Sequence, residues 1–107
     1  MIVRMSIVST IDKGIRIENA KRLGGILQTA REEVGLTQDD LAGRLGKNQS
    51  YVSRYEAGRC YLDLTQFILI CHELYVEPGE MLKRLEESGV GFRKEADRGG
   101  KKKEGRR

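Results

Sequence analysis

Residues 36–58 read LTQDDLAGRLGKNQSYVSRYEAG. Two glutamines, Gln38 and Gln49, each follow a residue that commonly caps a helix, Thr37 and Asn48, and Gly46 lies between them. Thr37 predicts a helix start, with Asp40 three residues on as a variant of a capping box. Asp39 and Asp40 suit the positive end of a helix dipole. This short helix, Gln38 to Leu45, turns Leu41, Ala42 and Leu45 inward and stops at Gly46. A second begins at Gln49 and ends before Gly58. Val52 and Tyr55 form its inner face, which leaves Gln49, Ser50, Ser53 and Arg54 on or near the outer one. Two short helices joined by a glycine turn make a helix-turn-helix pattern. Ala42 is small where the helices cross closely, and Gly46 can adopt a positive φ without a Cβ clash.

The same periodicity extends outward. Leu23, Leu27, Ala30 and Val34 make one stripe of a helix from about Ala20 to Val34, closed by Gly35. Asp63 caps a helix over Leu64 to Leu74, with Leu64, Phe67, Ile68, Cys71 and Leu74 inward. Pro78, the only proline, stands at a favourable first position of a last helix that buries Met81, Leu82 and Leu85. The expected fold is all-α, a compact five-helix bundle over residues 20–87. Residues 1–19, rich in Ile, Val, Ser and Thr, read as an N-terminal extension, an extended arm, a disordered lead or a strand. Residues 88–107 are Gly- and charge-rich with few large apolar groups, and disorder is expected there.

Composition narrows the function. The 107 residues carry a net charge of +4. Residues 88–107 hold eight Lys/Arg against three acids, net +5, which leaves −1 for the rest. The basic pI is therefore a property of the tail and is no argument for nucleic-acid binding by the domain. Between Arg44 and Arg59, however, Arg44, Lys47, Arg54 and Arg59 face a single acid, Glu56, a local +3. No stretch is long and apolar enough to cross a bilayer, and nothing reads as an export signal, so a cytoplasmic location is expected. Cys60 and Cys71, with only His72 nearby, lack the spacing of a metal site. No metal or cofactor is expected. A lone histidine, no phosphate-binding glycine loop and no nucleophile motif argue against an enzyme.

The stretch LGGILQTAREEVGLTQDDLAGRLGKNQSYVSRYEAG, followed by LTQFILICHEL and VEPGEML, resembles the phage-repressor class of helix-turn-helix domains, the Cro/CI-type or XRE-like family. The shared pattern rests on Arg31, Gln38, Ala42, Gly46, Gln49, Val52, Glu56 and Gly58. The resemblance implies a lambda-repressor-like DNA-binding fold and roles for individual residues. Gln38 would bond a phosphate and brace Gln49. Gln49 would read adenine, and Ser50 would reach base edges. Arg54 would contact guanine or a phosphate. Asn48, Tyr51 and Arg59 are candidates for backbone contacts, and Ser53 shares the outer face. Arg31 and Glu56 match a structural ion pair.

Three departures stand out. Leu62 replaces a common proline, Tyr75 a usual glycine, and the Gly24–Gly25 pair weakens the first helix. The implied function is sequence-specific binding of double-stranded DNA by a homodimer on a palindrome-like operator, as a transcription regulator of the repressor type. The alternative is a protein-interaction module such as the antitoxin of a toxin–antitoxin pair. The tail cations either stay solvated or add salt-sensitive attraction to phosphate.

Overall fold

The structure is a computed structural model that describes the backbone over residues 2–89 and side chains over residues 13–89. Among the described residues there are five helices and no strand: α1 (Ile2–Glu33), α2 (Gln38–Leu45), α3 (Gln49–Glu56), α4 (Leu64–Glu73) and α5 (Pro78–Glu87). Most of the basic tail lies outside the described residues.

The local signals explain the helix ends. Thr37 accepts from the Asp40 amide while Asp40 accepts from the Thr37 amide, a complete capping box on α2. The Thr37 amide, and after it the Thr37 hydroxyl, hold the Asp40 carboxyl below the usual range. Asp63 and Gln66 make the same reciprocal pair on α4. Asn48 caps α3 by accepting from the Tyr51 amide. Gly46 ends α2 at φ 70°, the left-handed geometry that a Cβ disfavours.

The core gathers one stripe from each helix: Leu27 and Ala30 of α1, Leu41 and Ala42 of α2, Val52 and Tyr55 of α3, Phe67, Ile70 and Cys71 of α4, and Met81 of α5, with Leu74 just beyond α4. Burial pushes the Cys71 thiol up to about 11, and both cysteines are free. The α2–α3 pair packs on α1 and α4, and α5 closes the bundle against α1 and α4.

Several expectations are corrected. Residues 2–19 are not an extended arm or strand, because α1 is continuous from Ile2. β-Branched residues lower helix propensity by only tenths of a kcal/mol. A helix pairs its own backbone, whereas a lone strand leaves its amides without partners. Three apolar residues assigned to the core are exposed: Val34, Leu64 and Leu82. Val34 lies beyond the last turn of α1. Leu64 occupies the first position of α4. Leu82 is rotated by about 100° from Met81, which α5 buries.

A close approach at Gly24 positions α3, and an unusual backbone conformation follows α4. A Cβ on Gly24 would lie 2.4 Å from the carbonyl oxygens of both Tyr55 and Glu56, so α1 and the end of α3 meet main chain to main chain. Tyr75 adopts φ 61°, the one non-glycine residue with positive φ among the described residues. Its side chain reaches outward, where the hydroxyl accepts from Arg44 Nη1 at 3.0 Å.

Candidate functional site

A chain of hydrogen bonds runs from the core to the N-terminus of α3. At its buried end Arg31 of α1 meets Glu56 of α3: Nε donates to Oε2 at 2.7 Å and Nη2 to Oε1 at 3.0 Å. The two side chains are 8% and 2% exposed. Arg31 Nη1 also donates to the Leu36 carbonyl at 2.7 Å, tying the α1–α2 turn to the same guanidinium. Bonding to Glu56 raises the Arg31 pKa above the ordinary arginine value in spite of burial.

From Glu56 the chain continues outward. Gln38 Nε2 donates to Glu56 Oε1 at 2.9 Å, and Gln38 Oε1 accepts from Gln49 Nε2 at 2.6 Å. Since Glu56 and Gln38 Oε1 can only accept, the amide orientation of each glutamine is fixed in turn. Gln49 therefore keeps Oε1 and one Nε2–H for an outside partner, an acceptor and a donor side by side. Gln38 keeps one Nε2–H.

The outer surface of α3 carries Gln49, Ser50 and Arg54, all exposed, with the cap residue Asn48 beside them. Ser53, on the same face, is half-buried. Arg59 follows in the loop, also exposed, and neither it nor Arg54 makes an ion pair among the described residues. Tyr51 stands at the edge. Its ring packs against Tyr55 at 5.6 Å in an edge-on geometry, and the Lys47 ammonium lies 5.2 Å over it. Desolvation raises the pKa of the Tyr51 hydroxyl.

The structure thus brings Arg31, Gln38, Gln49 and Glu56 into one network and leaves Ser50, Arg54 and Arg59 as separate, solvent-facing tips. Sequence reasoning missed the Leu36 carbonyl, which no side-chain pattern announces. It also read Gly24 only as a weak helix former, although a glycine doublet inside an amphipathic stripe was a signal of close approach. Among the described residues no group of three or more His, Cys, Asp or Glu side chains is placed to hold a metal, and no helix is long and apolar enough to cross a membrane.

This face presents amide, hydroxyl and guanidinium groups on a short rod flanked by cations. The arrangement suits hydrogen bonding to a polyanion with exposed donor and acceptor edges. The profile of the family described as "Helix-turn-helix domain" matches residues 22–85. The clp gene regulator ClgR from C. glutamicum is similar in crystal structure, with TM-score 0.62 and 26% identity over 65% of this chain and 91% of that one. The restriction-modification controller protein C.AhdI from Aeromonas hydrophila is similar with TM-score 0.57 and 30% identity, over 60% of this chain and 97% of that one. No curated protein matches the chain.

Proposed function

The chain belongs to the helix-turn-helix domain family, and from that premise we propose that it binds double-stranded DNA sequence-specifically as a transcriptional regulator, acting as a repressor. The observation that carries this reading is the hydrogen-bonded chain Arg31–Glu56–Gln38–Gln49. It leaves Gln49 with the acceptor–donor pair that matches adenine N6 and N7 in the major groove. The free Nε2–H of Gln38 then serves a phosphate oxygen. Ser50 and Arg54 extend the reading along the groove, while Asn48, Tyr51 and Arg59 hold the backbone and set register. Ser53, half-buried on the same face, sits at the rim of the contact.

One such rod spans only a few base pairs. Two copies about 34 Å apart on one face of a duplex supply the remaining affinity, so the working form is a homodimer on a palindrome-like operator. Leu64, Leu69, Tyr75 and Leu82 are large exposed apolar side chains on and around α4 and α5 that offer surface for pairing. The similar clp gene regulator and restriction-modification controller protein are in keeping with this role.

Selection of bound duplexes from a random DNA pool tests the proposal. The expected result is an enriched two-fold sequence with half-sites about one helical turn apart. A pool that stays random while the protein captures a protein partner would replace this reading with that of an interaction module such as an antitoxin.

A further inference from the structure

The core is left open at one place. A cavity of about 230 Å³ lies between Leu23 and Gly24 of α1, Tyr55 of α3, Cys60 and Leu62 of the following loop and Leu85 of α5. Its lining is mainly apolar. Leu23, Cys60, Leu62 and Leu85 are each only half-buried. Side chains that border a void forfeit both dispersion contacts and apolar burial. A dry cavity of about 150 Å³ already takes a benzene ring, so this one has room for a phenyl group carried on main chain.

The chain leaves the bundle next to this opening. Arg22, one residue before Leu23, donates from Nη1 to the carbonyl of Ser88, three residues beyond Leu85. There α5 ends, and Gly89 follows at φ 97°, a left-handed conformation in which the chain can turn back. The described residues stop at Gly89, and the sequence continues Val90, Gly91, Phe92, Arg93. Three residues span up to about 10 Å, and Gly91 adds a second permissive position. Val90 and Phe92 are the only large apolar side chains in residues 90–107, and Phe92 is the only aromatic one. A tether this short holds the ring at a roughly millimolar effective concentration, which favours it over a second copy or a free ligand.

We propose that the Phe92 ring docks in this cavity of its own chain. The ring covers Leu23, Leu62 and Leu85, and the glycines on either side of Val90 let the main chain fold back over the last turn of α5. It also shields the Cys60 thiol. Arg93 and Lys94 then emerge beside the loop that carries Arg59, so the basic tail departs from a fixed point.

The test uses the full chain, with labelled leucine methyls and a labelled Phe92 ring, beside the variant Phe92→Ala. The expected result is nuclear Overhauser contacts between the ring and the methyls of Leu23, Leu62 and Leu85 within one copy. Alkylation of Cys60 by iodoacetamide is expected to be at least about five-fold faster in Phe92→Ala. Cys71, 0% exposed, stays unreactive in both proteins and reports an intact core. Absence of the ring–methyl contacts, contacts found only between differently labelled copies, or an unchanged Cys60 rate overturns the proposal.

Discussion

Replacing Glu56 with glutamine keeps the volume of the side chain and removes its charge. Three N–H groups aim at its two oxygens: Arg31 Nε, Arg31 Nη2 and Gln38 Nε2. A glutamine has one acceptor oxygen, so its own NH₂ must face at least one of these donors. The Arg31 guanidinium, 8% exposed, keeps its charge and loses its counter-ion. Removing one partner of a buried pair destabilises by about 3–5 kcal/mol. Arg31 retains the Leu36 carbonyl at 2.7 Å and Glu32 at 3.9 Å, which places the expected loss near the lower end, about 3 kcal/mol. For a domain of this size that corresponds to a melting temperature lower by about 12–24 °C. Urea and thermal unfolding followed by circular dichroism measure it. The double variant Arg31→Met, Glu56→Leu removes both charges and is expected to recover to within about 1 kcal/mol of the parent. A loss below about 1 kcal/mol for Glu56→Gln, or a double variant no more stable than the single, would refute the assignment of Arg31–Glu56 as a buried, mutually dependent pair.

Four further outcomes are expected. Gln49→Ala is expected to weaken the selected operator by about 1–3 kcal/mol and to relax preference at one base; equal weakening on all duplexes in a competition assay would contradict direct readout. Gly24→Ala and Gly25→Ala should move stability in opposite directions. The first forces a Cβ against the α3 carbonyls, outweighing the helix-propensity gain and costing about 1–3 kcal/mol, while the second meets nothing within 4 Å and gains up to about 1 kcal/mol. Calorimetry that finds the same sign for both would remove the close approach from the account.

Alkaline pH gives a third. The Tyr55 pKa is raised by burial, so its contribution to stability is complete below the unfolded value near 10 and declines as pH rises past it. Cys71, raised to about 11, acts in the same sense from its unfolded value near 8.5 upward. Tyr55→Phe should therefore flatten the loss seen in urea unfolding above pH about 10, and an unchanged slope would count against burial as the cause. Finally, deletion of residues 94–107 is expected to reduce the salt dependence of duplex binding and leave base preference intact in filter-binding titrations. Preference lost with the tail would place readout outside α3.

Much of the fold was legible because its signals are short-range. Thr37, Asn48, Asp63 and Gly46 mark helix ends through bonds made within three or four residues, and Pro78 does so through its fixed φ; the structure places those ends accordingly. The inner faces of α2 and α3 were equally readable, since Leu41, Ala42, Val52 and Tyr55 follow a single period. Long-range choices were not. The extent of α1 depended on whether Ile2–Asn19 had a strand partner, which composition does not reveal. The exposure of Leu64 and Leu82 depended on where the bundle ends. At the site, the pairing of Arg31 with Glu56 came from a family pattern and spans 25 residues; no local rule links them. The third partner of Arg31, the Leu36 carbonyl, is main chain and carries no residue identity at all.

The contact at Gly24 has a mechanical meaning. Where α3 rests on α1 there is no rotamer between the two backbones, so nothing in that joint can be retuned by a side-chain flip. At that end of α3 the height of the rod above α1 is then set by peptide geometry. Exchanging the tips Gln49, Ser50 and Arg54 changes what is touched and leaves the depth of insertion untouched, which makes the specificity of this rod separable from its mounting.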